Sequence, residues 1–187
     1  MQSRLQNAMD GILESKGIAW LTGSFAEKKE KYAEILRRTR PFQGTGERIS
    51  FVCDRLNPLI FNDEEIIAAL ELCLKQGSNI RMIFHRGDCP QQAIDSLGEN
   101  NQHLCKLWQT KKDNLAIYWS DFRLGQYFFV ISGLGVLFEE PKAEDDMGGW
   151  ALFERNTALA KEWEGRFNDY VQKGCQTGHL EKISAFS

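Results

Sequence analysis

Apolar positions recur along this chain with two periods, and the switches between them mark out its elements. Residues 3–16 place Leu5, Met9, Ile12 and Leu13 on one helical stripe, stopped by Gly17. The short apolar segment IAWLTGS then crosses the surface of the main body. Ser24 and Glu27 have the spacing of a capping box, which predicts a helix to about Arg40. Phe25, Tyr32, Ile35 and Leu36 form its apolar side, and Pro41 ends it. After the loop PFQGTGE, ISFVCD (49–54) predicts a buried strand, and RLNPLIF an irregular connection. Asn62, with Glu65 three residues on, predicts the cap of a helix with stripe Ile66, Ile67, Leu70 and Leu74, stopped by Gly77. NIRMIFH (79–85) predicts the next strand. Pro90 opens a helix to about Lys112, with Ala93, Ile94, Leu97, Leu104 and Trp108 inward. Gly98 and Asn100-Asn101 are where that helix divides. NLAIYWS (114–120) predicts a third strand.

The longest nearly uncharged run is YFFVISGLGVLFEE, residues 127–140. Its aromatic and β-branched residues suit a pleated surface, and Gly133-Leu134-Gly135 suits a tight turn. It predicts a hairpin whose first strand is buried on both faces. PKAEDDMGG (141–149) is an acidic loop. Asn156 or Thr157 caps a last helix through about Lys173, with Leu159, Trp163, Phe167 and Tyr170 at helical spacing. The tail QTGHLEKISAFS is peripheral.

Strand, helix and strand over 49–85 make a βαβ unit, so these two strands are expected to be parallel. Ligands of such sheets sit beyond the carboxyl ends of the strands. Asp54, Arg55, His85, Arg86, Asp88, Asp121 and Arg123 all fall there and form the candidate ligand site. The expected fold class is α/β: a mixed, largely parallel sheet with helices on both faces and an N-terminal helical extension. The expected boundaries are 1–44 for the extension, 45–175 for the α/β domain and 176–187 for the tail.

Composition narrows the function. With 42% hydrophobic residues in a 187-residue chain there is material for one real core. A net charge of -3 argues against a general nucleic-acid coat, so nucleic acid is a disfavoured partner that only a local basic patch would admit. The five cysteines are odd in number and include no C-x-x-C pair, which fits reduced thiols and a cytoplasmic protein. MQSRLQNAMDG does not read as a secretory signal, and no segment approaches the roughly 20 apolar residues of a spanning helix. His85 with Cys89, and His103 with Cys105, lie outside the usual structural-zinc spacings, so no metal and no cofactor is expected. Glu139, Glu140, Glu144, Asp145 and Asp146 suit a solvated loop, or the binding of a cation or a basic partner. Lys28, Lys29, Lys31, Arg37, Arg38 and Arg40 give the second helix a basic face. That face is either solvated and ion-paired or meets an anionic membrane surface.

From Arg48 to Val171 the order of elements resembles one half of the phospholipase D superfamily. The likeness is carried by LIFNDEEIIAALELCLKQGSNIRMIFH, similar to that family's first crossover. It is carried also by YFFVISGLGVLFEE and ALFERNTALAKEWEGRFNDYV, which look like its central strand pair, its Asn and its closing helix. The resemblance implies a fold and a chemistry: a His nucleophile, a second His as acid, and a Lys neutralising phosphate charge. This chain departs from the motif H-x-K-x4-D. Alignment puts Gly125 at the His, Tyr127 at the Lys and Ser132 at the Asp. No His lies from 104 to 178, and no Lys between Asp113 and Pro141. The resemblance therefore implies a non-catalytic module for a phosphate-containing ligand or a protein partner, with no catalytic residues assigned. It further implies a homodimer that pairs across the strand-end face. Two alternatives stay open: a divergent phosphodiesterase or nuclease using His85, Asp54 and Asp121, and a membrane-surface adaptor.

Overall fold

The computed structural model describes residues 18–21, 25–38, 48–53, 58–85, 98–122, 127–139 and 151–184. Among these residues eight strands share one sheet: β1 (Ile18–Leu21), β2 (Arg48–Cys53), β3 (Asn79–His85), β4 (Leu115–Ser120), β5 (Tyr127–Ile131), β6 (Gly135–Glu139), β7 (Ala151–Glu154) and β8 (Leu180–Lys182). The helices are α1 (Phe25–Arg38), the single turn α2 (Pro58–Phe61), α3 (Glu64–Lys75), α4 (Gln102–Thr110) and α5 (Thr157–Thr177). The strand order is β1-β7-β6-β5-β2-β3-β4-β8.

β2, β3 and β4 run parallel, with Phe51 opposite Met82 and Met82 opposite Ile117. Antiparallel strands extend this core on both sides. The sheet is thus mixed, with its parallel part in the βαβ core.

Alternation along the strands sends side chains to two separate clusters. On one face, Ile49, Phe51, Ile80, Met82, Phe84, Leu115 and Ile117 pack with Tyr32 and Ile35 of α1, Leu70 of α3 and Leu104 and Trp108 of α4. On the other, Val52, Ile83, Phe128, Val130 and Val136 pack with Ala160, Trp163 and Phe167 of α5. Helices therefore cover both faces, as the sequence predicts. Phe84 is fully buried and meets Phe61 edge-on at 5.2 Å. Burial of one such side chain is worth about 1.5–3 kcal/mol.

The hairpin β5–β6 has the form read from its pattern. Phe128 and Val130 face α5, Phe129 and Ile131 face the other layer, and all four are buried. Gly133 turns the chain at φ +76°, and a Cβ on Gly135 would come within 2.3 Å of the Glu154 carbonyl oxygen. The close approach of the β6–β7 pair there requires glycine.

Three local details differ from the sequence reading. The cap of α3 is Asp63, not Asn62: its Oδ1 accepts from the N–H groups of Glu65 and Ile66. The turn α2 ends beside Asn62, whose Oδ1 instead accepts from the His103 N–H at 2.9 Å, joining α3 to α4. Residues 18–38, read as part of an extension, supply edge strand β1 and buried Tyr32, Ala33, Ile35 and Leu36 to the common sheet and core. The tail supplies β8, which pairs with β4 and closes the other edge. The predicted helix over 3–16 lies outside the described residues.

Candidate functional site

At the carboxyl edge of the parallel strands, β2 ends at Cys53, β3 at His85 and β4 at Ser120. His85 is half-buried and sits opposite Ser120 in the β3–β4 register. β5 runs the other way, and the pairing of Val52 with Phe128 brings its start, Tyr127, to this same edge. The chain leaves β4 through a tight turn. Ser120 Oγ, fully buried, donates to the Phe122 carbonyl at 2.7 Å and accepts from the Phe122 N–H at 3.3 Å. This turn sets Asp121 and Phe122 on the surface beyond the strand.

Asp121 meets a residue that the sequence reading leaves in the tail. His179 precedes β8, and the Asp121 N–H donates to its carbonyl at 3.2 Å, continuing the antiparallel ladder. The His179 imidazole Nδ1 lies 3.0 and 3.1 Å from the two Asp121 carboxylate oxygens. A carboxylate on one ring nitrogen fixes the orientation of the other. Gly178, at φ +75° after α5, turns the chain so that His179 faces Asp121. The helix stop at Gly178 was the available signal that the chain changes course there; the three residues of β8 are too few to show a period. The structure thus places His85 and Asp121 on one edge and adds His179. Asp54, Arg55, Arg86, Asp88, Arg123 and Gly125 lie outside the described residues.

Ser132 belongs to a different place. It follows β5 at the amino end of β2, where its N–H donates to the Arg48 carbonyl at 2.9 Å. Five residues of strand separate it from Tyr127, about 17 Å at the usual rise. Its hydroxyl donates to Glu164 Oε2 at 2.8 Å. Glu164 Oε1 also lies 3.3 Å from Arg48 and 3.9 Å from Arg81. Arg81 is the centre of this network. Its guanidinium donates to Asn168 at 2.6 Å and to Ser50 at 2.9 Å, and it covers the Phe167 ring at 4.5 Å. Burial, then Arg48, push the Arg81 pKa below its ordinary value, while Glu164 and Tyr118 oppose. The network fastens α5 to the sheet.

Two of the basic residues of α1 meet the acidic start of α3. Lys29 bonds to Asp63 and Arg37 lies 3.7 Å from Glu65. An open cleft of about 600 Å³ lies between these helices, lined by Lys29, Glu30, Asn62, Asp63, Glu64 and Glu65. The Asp63 carboxylate already caps α3, so this helix end does not present bare N–H groups to an anion. Among the described residues no group of three or more His, Cys, Asp or Glu is placed to hold a metal ion. No helix among them is long and apolar enough to cross a membrane. Cys73 and Cys105 are buried, Cys53 is half-buried and Cys175 is exposed, and Cys89 lies outside the described residues.

No protein family's sequence profile matches the chain, and no curated protein does. Solved structures do. Nuc of Salmonella typhimurium, a phospholipase D family member, is similar with a TM-score of 0.57 at 9% identity, covering 90% of this chain and 99% of that one. Phosphatidylserine synthase of Haemophilus influenzae aligns with a TM-score of 0.53 at 10% identity, over 91% of this chain and 40% of that one. TrmBL2, an archaeal chromatin protein described as having a novel mode of DNA binding, aligns with a TM-score of 0.53 at 14% identity, over 90% of this chain and 58% of that one. The chain thus spans nearly all of the first neighbour and about half of the other two. The fold is phospholipase D-like, as the sequence resemblance implied.

Proposed function

We propose that this phospholipase D-like fold serves as a non-catalytic module that recognises a phosphate-containing ligand or a protein partner at the carboxyl edge of its sheet. The observation that carries the reading is the content of the central strand. Aligned by sequence pattern, the family motif H-x-K-x4-D falls on Gly125, Tyr127 and Ser132, and no Lys lies between Asp113 and Pro141. None of these supplies an imidazole nucleophile or an ammonium to neutralise a phosphate. The Ser132 hydroxyl is bound to Glu164 and lies a strand length from the edge where a ligand is expected. Polar groups suited to holding an anion remain there: His85 on β3 and the Asp121–His179 pair. Arg55, Arg86 and Arg123 would complete the site from the segments that follow the strands. Neighbours of this fold include a phosphatidylserine synthase and a DNA-binding chromatin protein, so catalysis and binding both occur on it.

The Asp121–His179 pair also favours a second reading, a divergent phosphodiesterase in which His85, Asp54 and Asp121 take part. Hydrolysis of a nitrophenyl phosphodiester with and without Mg²⁺ separates the two. The expected result is no turnover above buffer. Turnover abolished by His85→Ala or His179→Ala overturns the non-catalytic reading. The membrane-surface reading has less support, because Lys29 and Arg37 of α1 are held by Asp63 and Glu65. Liposome sedimentation across a salt series tests it directly, with no binding expected.

We further propose a homodimer across the strand-end face, with a soluble, cytoplasmic setting. A two-fold axis there would bring both copies of His85 and Asp121 to one groove. Light scattering at micromolar concentration is expected to give twice the 21.4 kDa of one chain. A mass of one chain would confine the ligand to a site within a single copy.

A further inference from the structure

We infer that the ligand contact at the carboxyl edge is centred on the β4–β8 border, at His179 and Phe122, and that it takes a phosphate ester carrying an aromatic ring, such as a nucleotide. The inference rests on the binding reading above and names the chemistry of that site.

Three observations carry it. First, both Asp121 oxygens lie on Nδ1 of His179, so the carboxylate occupies one side of the imidazole and Nε2 is directed to the other. Nε2 makes no hydrogen bond among the described residues, and the His179 side chain is 57% exposed. A ring nitrogen held in this way donates to an anionic oxygen when the imidazole carries both protons, and the bond is then charge-assisted. Second, Phe122 is the exposed large hydrophobic among the described residues, at 39%. It is not loose. The Ser120 hydroxyl bonds its backbone carbonyl and N–H, which fixes the backbone that carries the ring. Third, the Phe122 and His179 rings meet at 90° with centroids 6.0 Å apart. They form a corner with one apolar wall and one polar nitrogen. Stacking on such a wall tolerates any aromatic face, and the nitrogen selects for the anion beside it.

Each part of the ligand answers to one wall. Neither the aromatic ring alone nor the phosphate alone engages both. The rest of the edge fits this placement, since His85 lies on β3, one strand away from Asp121.

The chain has three histidines, His85, His103 and His179, so imidazole resonances report on each individually. Full-length protein is titrated with adenosine monophosphate, ribose 5-phosphate and adenosine, and signals are assigned from single His→Gln variants. The nucleotide is expected to shift the His179 signals saturably and to leave His103, on α4, unmoved. Ribose 5-phosphate and adenosine are each expected to bind about tenfold more weakly, the loss of one wall. Phe122→Ala is expected to weaken nucleotide binding about tenfold while leaving ribose 5-phosphate unchanged, with circular dichroism checking the fold. A shift of His85 with His179 unmoved overturns this inference and leaves the carboxyl-edge reading standing. Equal binding of nucleotide and ribose 5-phosphate overturns the role of Phe122. No shift with any of the three compounds overturns both the inference and the phosphate-ligand form of the reading.

Discussion

Replacing Arg81 by methionine tests how α5 is held to the sheet. The side chain is 19% exposed, and Met keeps most of its aliphatic stem while removing the guanidinium. The losses are the bonds to Asn168 and Ser50, the contact over Phe167 and the long 3.9 Å ion pair to Glu164. Two hydrogen bonds from a charged group are worth about 3 kcal/mol together at the low end, and the cation–π contact about 0.5–1 kcal/mol. Against this, the variant no longer desolvates a charge, which returns about 1–2 kcal/mol. Glu164 is not stranded, because Arg48 and Ser132 still bind it. The expected net loss is therefore about 2 kcal/mol. Urea unfolding followed by circular dichroism measures it. At a slope of about 2 kcal/mol/M the midpoint should fall by about 1 M with the slope unchanged. A midpoint that stays put or rises would refute the account of α5 as fastened through Arg81. Glu164→Gln should cost less, since the amide still accepts from Ser132.

Other outcomes follow from single features. Gly135→Ala should lose about 1–3 kcal/mol, measured by thermal melting, because its Cβ would meet the Glu154 carbonyl oxygen at 2.3 Å and one of the strands must give. Asp63 should stabilise the protein in a pH-dependent way. Burial alone would raise its carboxyl pKa, but Lys29 and the Ile66 and Glu65 N–H groups outweigh it and hold the group below its ordinary 3.8. A depressed folded-state pKa gives stability that is present above the unfolded value and lost as pH falls through the folded one. Asp63→Asn should thus melt lower than the parent at pH 7, with the gap shrinking as pH drops below 3.8. A gap that widens in acid contradicts the pairing. Thiol labelling of native protein should modify exposed Cys175 well before buried Cys105, whose pKa burial raises to about 11. Mass spectrometry of the digested product reads the order.

Much of the fold was legible because its central elements are long enough for periodicity to speak. NIRMIFH and YFFVIS carry uninterrupted β-forming runs, and α3 shows a stripe from Ile66 to Leu74. The cap was misplaced by one residue because Asn62 and Asp63 are both good caps, and the choice between them depends on His103, which is distant in sequence. The edge strands β1 and β8 are four and three residues long, too short to show a period. The site suffers from the same limit. The position of His85 and Asp121 at the carboxyl edge was legible because strand ends are predictable from βαβ order. The meeting of His179 with Asp121 was not legible because it arises only from β8 pairing beside β4. Arg81 and Glu164 belong to different elements, and nothing local in either stretch announces their meeting under α5.

The central claim is recognition without turnover at the carboxyl edge, and phosphorus NMR of one sample tests both halves. The protein is mixed with a dinucleotide phosphodiester and Mg²⁺ and followed over a day. The account predicts a diester resonance that shifts and broadens with added protein, less so with His179→Gln, and no monoester signal at any time. Growth of a monoester resonance in proportion to protein would contradict the non-catalytic claim, and a diester resonance untouched by protein would contradict the claim of binding.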